Sequence, residues 1–301
     1  SRQSSAWRRT RRTRRSRSRR GKHDSLPRMS HSLGELKDFL REKAARGVAL
    51  AYSGGVDSTL LLSVLKELCD EEGVPFVAIM ARSAFQSSEE VRDAVATAES
   101  LGVSPVLLEF DPLTIPELRG NPPDRCYWCK RHILSLLAER GRRHGASLLV
   151  EGTNADDLRA YRPGLKALAE SSALSPLAEL GLSKQDVRRL SEERGLATAR
   201  KPSTPCLATR FDYGTQLTAG LIEMVAQGEE YLRGLLPDGT QLRLRVHGDI
   251  ARVEVSESAQ DAILAHAGEI SRKLHALGFR FVTLDLEPYR SGCYDPPPKS
   301  I

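Results

Sequence analysis

Residues 48–59 read VALAYSGGVDST. An apolar run, Val48–Tyr52, stops at Ser53, Gly54 and Gly55, and a helical pattern begins at Val56 and Asp57. A buried strand, a tight glycine turn and a helix N-terminus gather backbone N–H groups around an anion and add the positive end of a helix dipole. Glycine at 54 and 55 lets the backbone approach a phosphate closely, and the hydroxyls of Ser53, Ser58 and Thr59 are placed to donate to its oxygens. The GxxxxGK[ST] phosphate loop is excluded, because no lysine stands where it needs one. A bare Gly-Gly turn more often closes an α/β core without binding anything. Six residues, SGGVDS, directly after an apolar strand point instead to pyrophosphate.

Three further apolar runs, at 74–80, 105–110 and 147–153, alternate with helical patterns over 33–46, 57–71, 88–101 and 127–143. That alternation predicts an α/β fold with a doubly wound parallel sheet, whose ligands belong at the carboxyl ends of the strands. Residues 154–210 are rich in polar residues, Gly and Pro, apart from a helix over 183–194. After Phe211 the pattern changes to a helix over 218–235 and two strands in LRLRVHGDIARVEV split at Gly248–Asp249. A helical stretch over 257–277 and a strand over 279–286 follow. The expected organisation is a nucleotide-binding domain at 29–210 and a smaller α+β domain at 211–290, with tails at 1–28 and 291–301.

The total charge of +6 hides an asymmetry, since residues 1–28 hold eleven arginines and Lys22 against Asp24, leaving −5 for the rest. Such a segment cannot form a core and should be disordered. Clustered arginines attract phosphate without sequence preference, yet the acidic remainder shows no basic stripe with aromatics, so nucleic acid is not the expected partner. The segment is no secretory signal, because no apolar region follows its charges. Met29 opens MSHSLGELKDFL just before the first amphipathic helix, as an upstream-misplaced start would also produce. No apolar run approaches the roughly 20 residues that span a bilayer, so the expected location is cytoplasmic.

Of five cysteines, Cys69 falls on the apolar face of the second helical pattern and reads as inert core, and Cys293 sits beside a proline-rich end. Cys126 and Cys129 in DRCYWCK and Cys206 in STPCLATR are different. A CxxC pair suits a redox disulfide, zinc or an iron–sulfur cluster. Structural zinc wants four protein ligands, and a second CxxC is absent. Three cysteines suit a catalytic zinc or a 4Fe–4S cluster with one open iron.

SGGVDST, RCYWCKR, EGTNADDLRAYRPG, SPLAELGLSKQDVRRL, KPSTPCLATRF and HGDIARVEV occur in this order. SGGVDS matches the PP-loop of ATP pyrophosphatases, and the whole series resembles the LarE family of ATP-dependent sulfur transferases. The resemblance implies a homo-oligomeric enzyme that uses ATP and Mg2+ to adenylylate a carboxylate of pyridinium-3,5-biscarboxylic acid mononucleotide, releases pyrophosphate and delivers sulfur to make a thiocarboxylate. In one branch of the family the cysteine of the PCLA motif, here Cys206, gives up its own sulfur. The other branch adds a CxxC, and the presence of Cys126 and Cys129 resembles that branch, with a 4Fe–4S cluster on Cys126, Cys129 and Cys206 supplying the sulfur.

The resemblance also implies roles for single residues. Lys130 would bind phosphate or neutralise the adenylate, and Asp57 would position magnesium or the loop. Asp156 and Asp157 would face the same cleft, while Arg162 and Arg210 would hold the substrate's phosphate or second carboxylate. Glu230, Arg243, Arg245 and Glu254 match charged positions near the site of sulfur transfer. The rival readings are a PP-loop tRNA thiolase with a three-cysteine cluster, an ammonia-transferring synthetase and a zinc-stabilised nucleic-acid-binding protein.

Overall fold

The computed structural model describes residues 32–159, 163–202 and 204–290, all within one unit, His31–Ile301. Both expected tails, Cys293 and Arg162 lie outside the described residues. Strand β1 (Val48–Ala51) is almost wholly buried at the centre of a four-stranded parallel sheet. On one side lie β2 (Phe76–Arg82) and then β3 (Val106–Glu109), and on the other β4 (Leu148–Val150). Ala51 pairs in register with Ile79, and Leu50 with Val150. The chain therefore leaves β1 in one direction and returns to it from the other. That reversal opens a crevice at the carboxyl ends of β1 and β4, where doubly wound sheets bind ligands.

Helix α1 (Leu33–Lys43) starts at a capping box in which Ser32 accepts from the Glu35 amide and Glu35 accepts from the Ser32 amide. Helix α2 (Val56–Glu72) begins directly after the glycine turn and stops at Gly73 in the left-handed region. The sequence shows one apolar stripe on it, yet eleven of its seventeen residues are buried. The reason is packing on several sides, against the sheet, α1 and α8 (Lys184–Glu193). Helix α3 (Ser88–Ser100) covers the same face of the sheet.

On the opposite face α5 (Arg125–Arg143) buries Leu134 and Leu137 against Ala49, Ile79 and Leu149, joined by α6 (Gly164–Ala169). Fully burying a leucine contributes about 1.5–3 kcal/mol, so the two faces together hold α5 firmly beside β1. Single-turn helices α4 (Pro116–Arg119) and α7 (Pro176–Glu179) carry the intervening chain.

The C-terminal part contains α9 (Ala219–Arg233), β5 (Leu242–His247), β6 (Ile250–Val255), α10 (Gln260–Ala265), α11 (Ala267–Ala276) and β7 (Phe281–Leu284). Strands β5 and β6 are antiparallel about the Gly248–Asp249 turn, and β7 joins β6 in parallel. Leu242, Leu244 and Val246 alternate with Arg243 and Arg245, so one face should be wet. It is not, because both arginines are only 4% exposed. The segment 205–211 runs along this sheet, with Phe211 bridging to Val246, and Phe85, Leu207, Ala208 and Phe211 share its core. The cysteine-bearing segment thus belongs physically to the C-terminal sheet while reaching the loop after β1.

Candidate active site

Gly54 adopts φ +71°, the left-handed region where glycine is favoured. A methyl group added there would meet the Ala94 Cβ at 2.3 Å, so the turn after β1 also depends on close approach to α3. Ser53 stays exposed, its hydroxyl 3.1 Å from that of Ser58, which in turn donates to the Gly55 carbonyl at 3.2 Å. Thr59 departs from expectation. It is fully buried in the core beside Tyr52, one turn inside α2 and away from the open loop. Gly54→Ala should destabilise the fold by about 1–3 kcal/mol through strain and overpacking and weaken ATP binding. Urea unfolding and nucleotide titration check this, and an unchanged midpoint with unchanged affinity would contradict it.

Asp57, at the first turn of α2, faces the crevice with both carboxylate oxygens engaged. Oδ1 accepts from Asn154 Nδ2 at 3.0 Å and Oδ2 forms an ion pair with Lys184 Nζ. Lys184, inside the helix expected over 183–194, was given no role by the sequence. A capping box between Ser183 and Asp186 starts α8 there, and Asp156 Oδ2 accepts from the Lys184 amide at 2.8 Å, fixing the helix end against the loop after β4. Asp156 and Asp157 therefore shape this loop, with Asp157 Oδ2 accepting from the Asn154 amide at 3.2 Å. Lys184 and Lys201 line the cleft formed by Ser53–Asp57, Gln86, Glu90 and Cys206. The cations that this loop lacks in sequence arrive from 127 or more residues downstream.

Behind that cleft lies a cavity of about 370 Å³, walled by Cys126, Cys129 and Cys206 together with Arg125, Lys130 and Asp157. Lys130 Nζ bonds to Glu151 Oε2 at 3.0 Å and to Thr153 Oγ1 at 3.3 Å. Glu151, buried and also unread in the sequence, holds Thr153 through its amide and hydroxyl and takes the hydroxyl of Ser175. Burial pushes the Cys129 thiol up to about 12, with further upward contributions from Cys206 and Cys126. The Cys129 thiol is therefore protonated at neutral pH, and a metal taking it would displace that proton.

The three cysteines come from two segments that Asn121 clasps together. Its side-chain amide donates to the carbonyls of Phe211 and Asp212 at 3.1 and 3.0 Å, just before α5. Among the described residues no three His, Cys, Asp or Glu side chains stand around one metal ion. A cluster makes a different demand, since each of its cysteines binds a separate iron. The donor set of three thiols on one cavity fits that demand.

Arg210 has a different place from the one expected of it. It is fully buried, and its guanidinium grips Glu229 at 2.7 and 2.9 Å while Nη1 donates to the carbonyls of Pro205 and Cys206 and to Thr209 Oγ1. No face of it is left for a substrate anion, and it shapes the Cys206 turn instead. Arg245 does the same from β5, donating to the Thr209 carbonyl at 2.6 Å while paired with Glu254 at 2.9 Å. Arg243 stacks on Tyr289 at 4.8 Å and lines a separate cleft with Lys201, Glu230 and Arg233. Burial, then Arg210, lowers its pKa. Glu230 is exposed on α9 and does not line the cysteine cavity; its neighbour Glu229 is the buried carboxylate.

A glycine turn between β1 and α2, completed by groups at the end of β4, defines a PP-loop protein. Residues 29–104 match the family of PP-loop domains. The pyridinium-3,5-bisthiocarboxylic acid mononucleotide synthase of Lactiplantibacillus plantarum is 37% identical over 85% of this chain and 90% of its own length. An uncharacterised Synechocystis protein, slr1717, is 39% identical over 81% of this chain and 90% of its own. A tRNA-specific 2-thiouridylase of Pelobacter propionicus is 29% identical over 56% of each. The chain belongs to the LarE family of PP-loop sulfur transferases. It is an ATP-utilising sulfurtransferase.

Proposed function

We propose that this enzyme adenylylates a carboxylate of pyridinium-3,5-biscarboxylic acid mononucleotide and replaces the AMP with sulfur handled by Cys126, Cys129 and Cys206. The observation that carries this reading is a shared wall: Cys206, Ser53, Asp57 and Phe85 line both the glycine-turn cleft and the three-cysteine cavity. ATP bound in the first would turn its α-phosphate toward the second. Backbone N–H groups at Ser53–Ser58 and the α2 dipole would take the departing pyrophosphate. Lys184 would neutralise charge there, and Asp57 would hold Mg2+ or the loop. The substrate carboxylate oxygen forms a bond to the α-phosphorus as the α–β phosphoanhydride breaks. AMP is then a good leaving group, and a sulfur nucleophile takes its place on the acyl carbon to leave a thiocarboxylate.

Cys126, Cys129 and Cys206 would hold a 4Fe–4S cluster, which when bound supplies the sulfur nucleophile. Sacrifice of the Cys206 sulfur is the alternative, and the CxxC sharing its cavity favours the cluster. Homo-oligomerisation belongs to the same proposal and is read by light scattering.

The test follows AMP, pyrophosphate and thiocarboxylate with this nucleotide as substrate. Cys126→Ser is expected to keep AMP formation within about threefold while thiocarboxylate formation stops. A Cys126→Ser enzyme that still makes thiocarboxylate over many turnovers would exclude the cluster. Absence of AMP formation by the wild type would exclude the substrate.

A further inference from the structure

Of the four residues common to the glycine-turn cleft and the cysteine cavity, Ser53 and Asp57 are polar and Cys206 carries a thiol. Phe85 alone is apolar. It follows β2 in a turn tied down on itself. The Ser83 amide donates to Gln86 Oε1 at 3.0 Å, the Gln86 amide to the Ser83 carbonyl at 3.1 Å, and the Phe85 amide to Ser83 Oγ at 3.3 Å. The Phe85 carbonyl accepts from the Leu207 amide at 2.8 Å, one residue past Cys206. Its side chain is 5% exposed and packs with Leu207, Ala208 and Phe211 in the core of the C-terminal sheet. A ring that leaves one sheet and is packed into the core of the other is fixed in place, because core side chains are close-packed in their rotamers.

The chemistry on either side gives this place its consequence. An acyl adenylate is a mixed anhydride, and water attacks it as sulfur does. In the hydrolytic path a water oxygen bonds to the acyl carbon and the bond from that carbon to the phosphate oxygen breaks. AMP leaves with the electron pair, the water protons pass to solvent, and the carboxylate is restored with ATP consumed for nothing. Ser53 at the junction is exposed and Asp57 carries a charge, so water has a way in. An apolar ring excludes it where those groups would hold it.

We propose that Phe85 governs the partition of the acyl adenylate between sulfur and water, as a positioning residue that takes no part in bond making. The proposal rests on the adenylylation given under Proposed function.

The test gives the full-length, metal-free protein ATP, Mg2+ and pyridinium-3,5-biscarboxylic acid mononucleotide in heavy-oxygen water, with no sulfur donor. The wild type should release a burst of about one pyrophosphate per site and then fall to a slow steady rate. Phe85→Ala should keep the burst and raise the steady rate by about tenfold or more. Heavy oxygen should then enter the recovered dicarboxylate and not AMP, which marks attack on the acyl carbon. Phe85→Leu, closer in volume and still apolar, should raise the steady rate by about threefold. It decides the question if a thermal scan shows Phe85→Ala unfolded. A purely structural Phe85 would lower Tm and shrink the burst without raising the steady rate, and that result overturns the proposal, as does heavy oxygen in AMP. An intact burst with an unchanged steady rate in both variants fails this inference alone, whereas no burst in the wild type fails the adenylylation itself.

Discussion

Asp57→Asn is expected to slow pyrophosphate release by about 10²–10³-fold, the cost of losing a ligand of the Mg2+ that would stabilise the developing anion. The substitution keeps the volume of the side chain and its capacity to accept from Asn154, so the loop should keep its shape. What it removes is the negative charge that faces Lys184. Without it Lys184 is free to sit in the phosphate site permanently, and a divalent ion loses a ligand. Both effects act on the chemical step, so kcat should fall far more than KM rises. Single-turnover release of pyrophosphate is the measurement. A rate within tenfold of wild type would show that Asp57 merely orders the loop through Asn154 and Lys184.

Glu229→Ala should destabilise the fold by about 3–5 kcal/mol, the usual consequence of stranding a buried charge. Arg210 and Glu229 are both fully buried, and Glu229 also accepts from Arg233 at 2.8 Å and from the Leu244 amide at 3.0 Å. Removing it leaves four donors without an acceptor in the core shared by α9, β5 and the Cys206 turn. Urea unfolding reads the loss, and a change under 1 kcal/mol would refute the account. The paired variant Glu229→Leu with Arg210→Met removes both charges together and should recover much of the stability. It should not recover sulfur transfer, because the carbonyls of Pro205 and Cys206 would still lack the Arg210 donor. Burial pushes the Glu229 carboxyl up, but Arg210 and then Arg233 outweigh it and hold it below the usual range. Its stabilisation is thus complete above the unfolded carboxyl pKa of about 4.3 and is lost as pH falls through the lower folded value.

The parallel sheet, its helices and the glycine turn were legible because each is a local pattern. Strands at 48–51, 76–82, 106–109 and 148–150 agree with the apolar runs to within three residues at each end, and the β5–β6 turn falls at the expected glycine. Thr59 shows the limit of that legibility. Its neighbours in the motif face the crevice, but a helix turns its side chains by 100° per residue, and position 59 points into the core. Glu230 shows the same limit, since one residue along α9 separates an exposed carboxylate from the buried Glu229. The three cysteines were found by chemistry alone, whereas Glu151 and Lys184 lie inside quoted motifs with no role assigned to them, and Asn121 lies in none.

By itself the sequence determined that a phosphate-binding turn follows a buried strand, that three cysteines stand apart from two others, and which family pattern they share. These depend on residue type and short spacing, which a chain carries in any conformation. Only the tertiary structure decided which charges oppose which. Asp57 meets Lys184 across 127 residues, and Arg210 turns inward to Glu229. Charge pairing is a property of distance and dielectric rather than of chain position, so it appears when the strands are assembled and water is excluded.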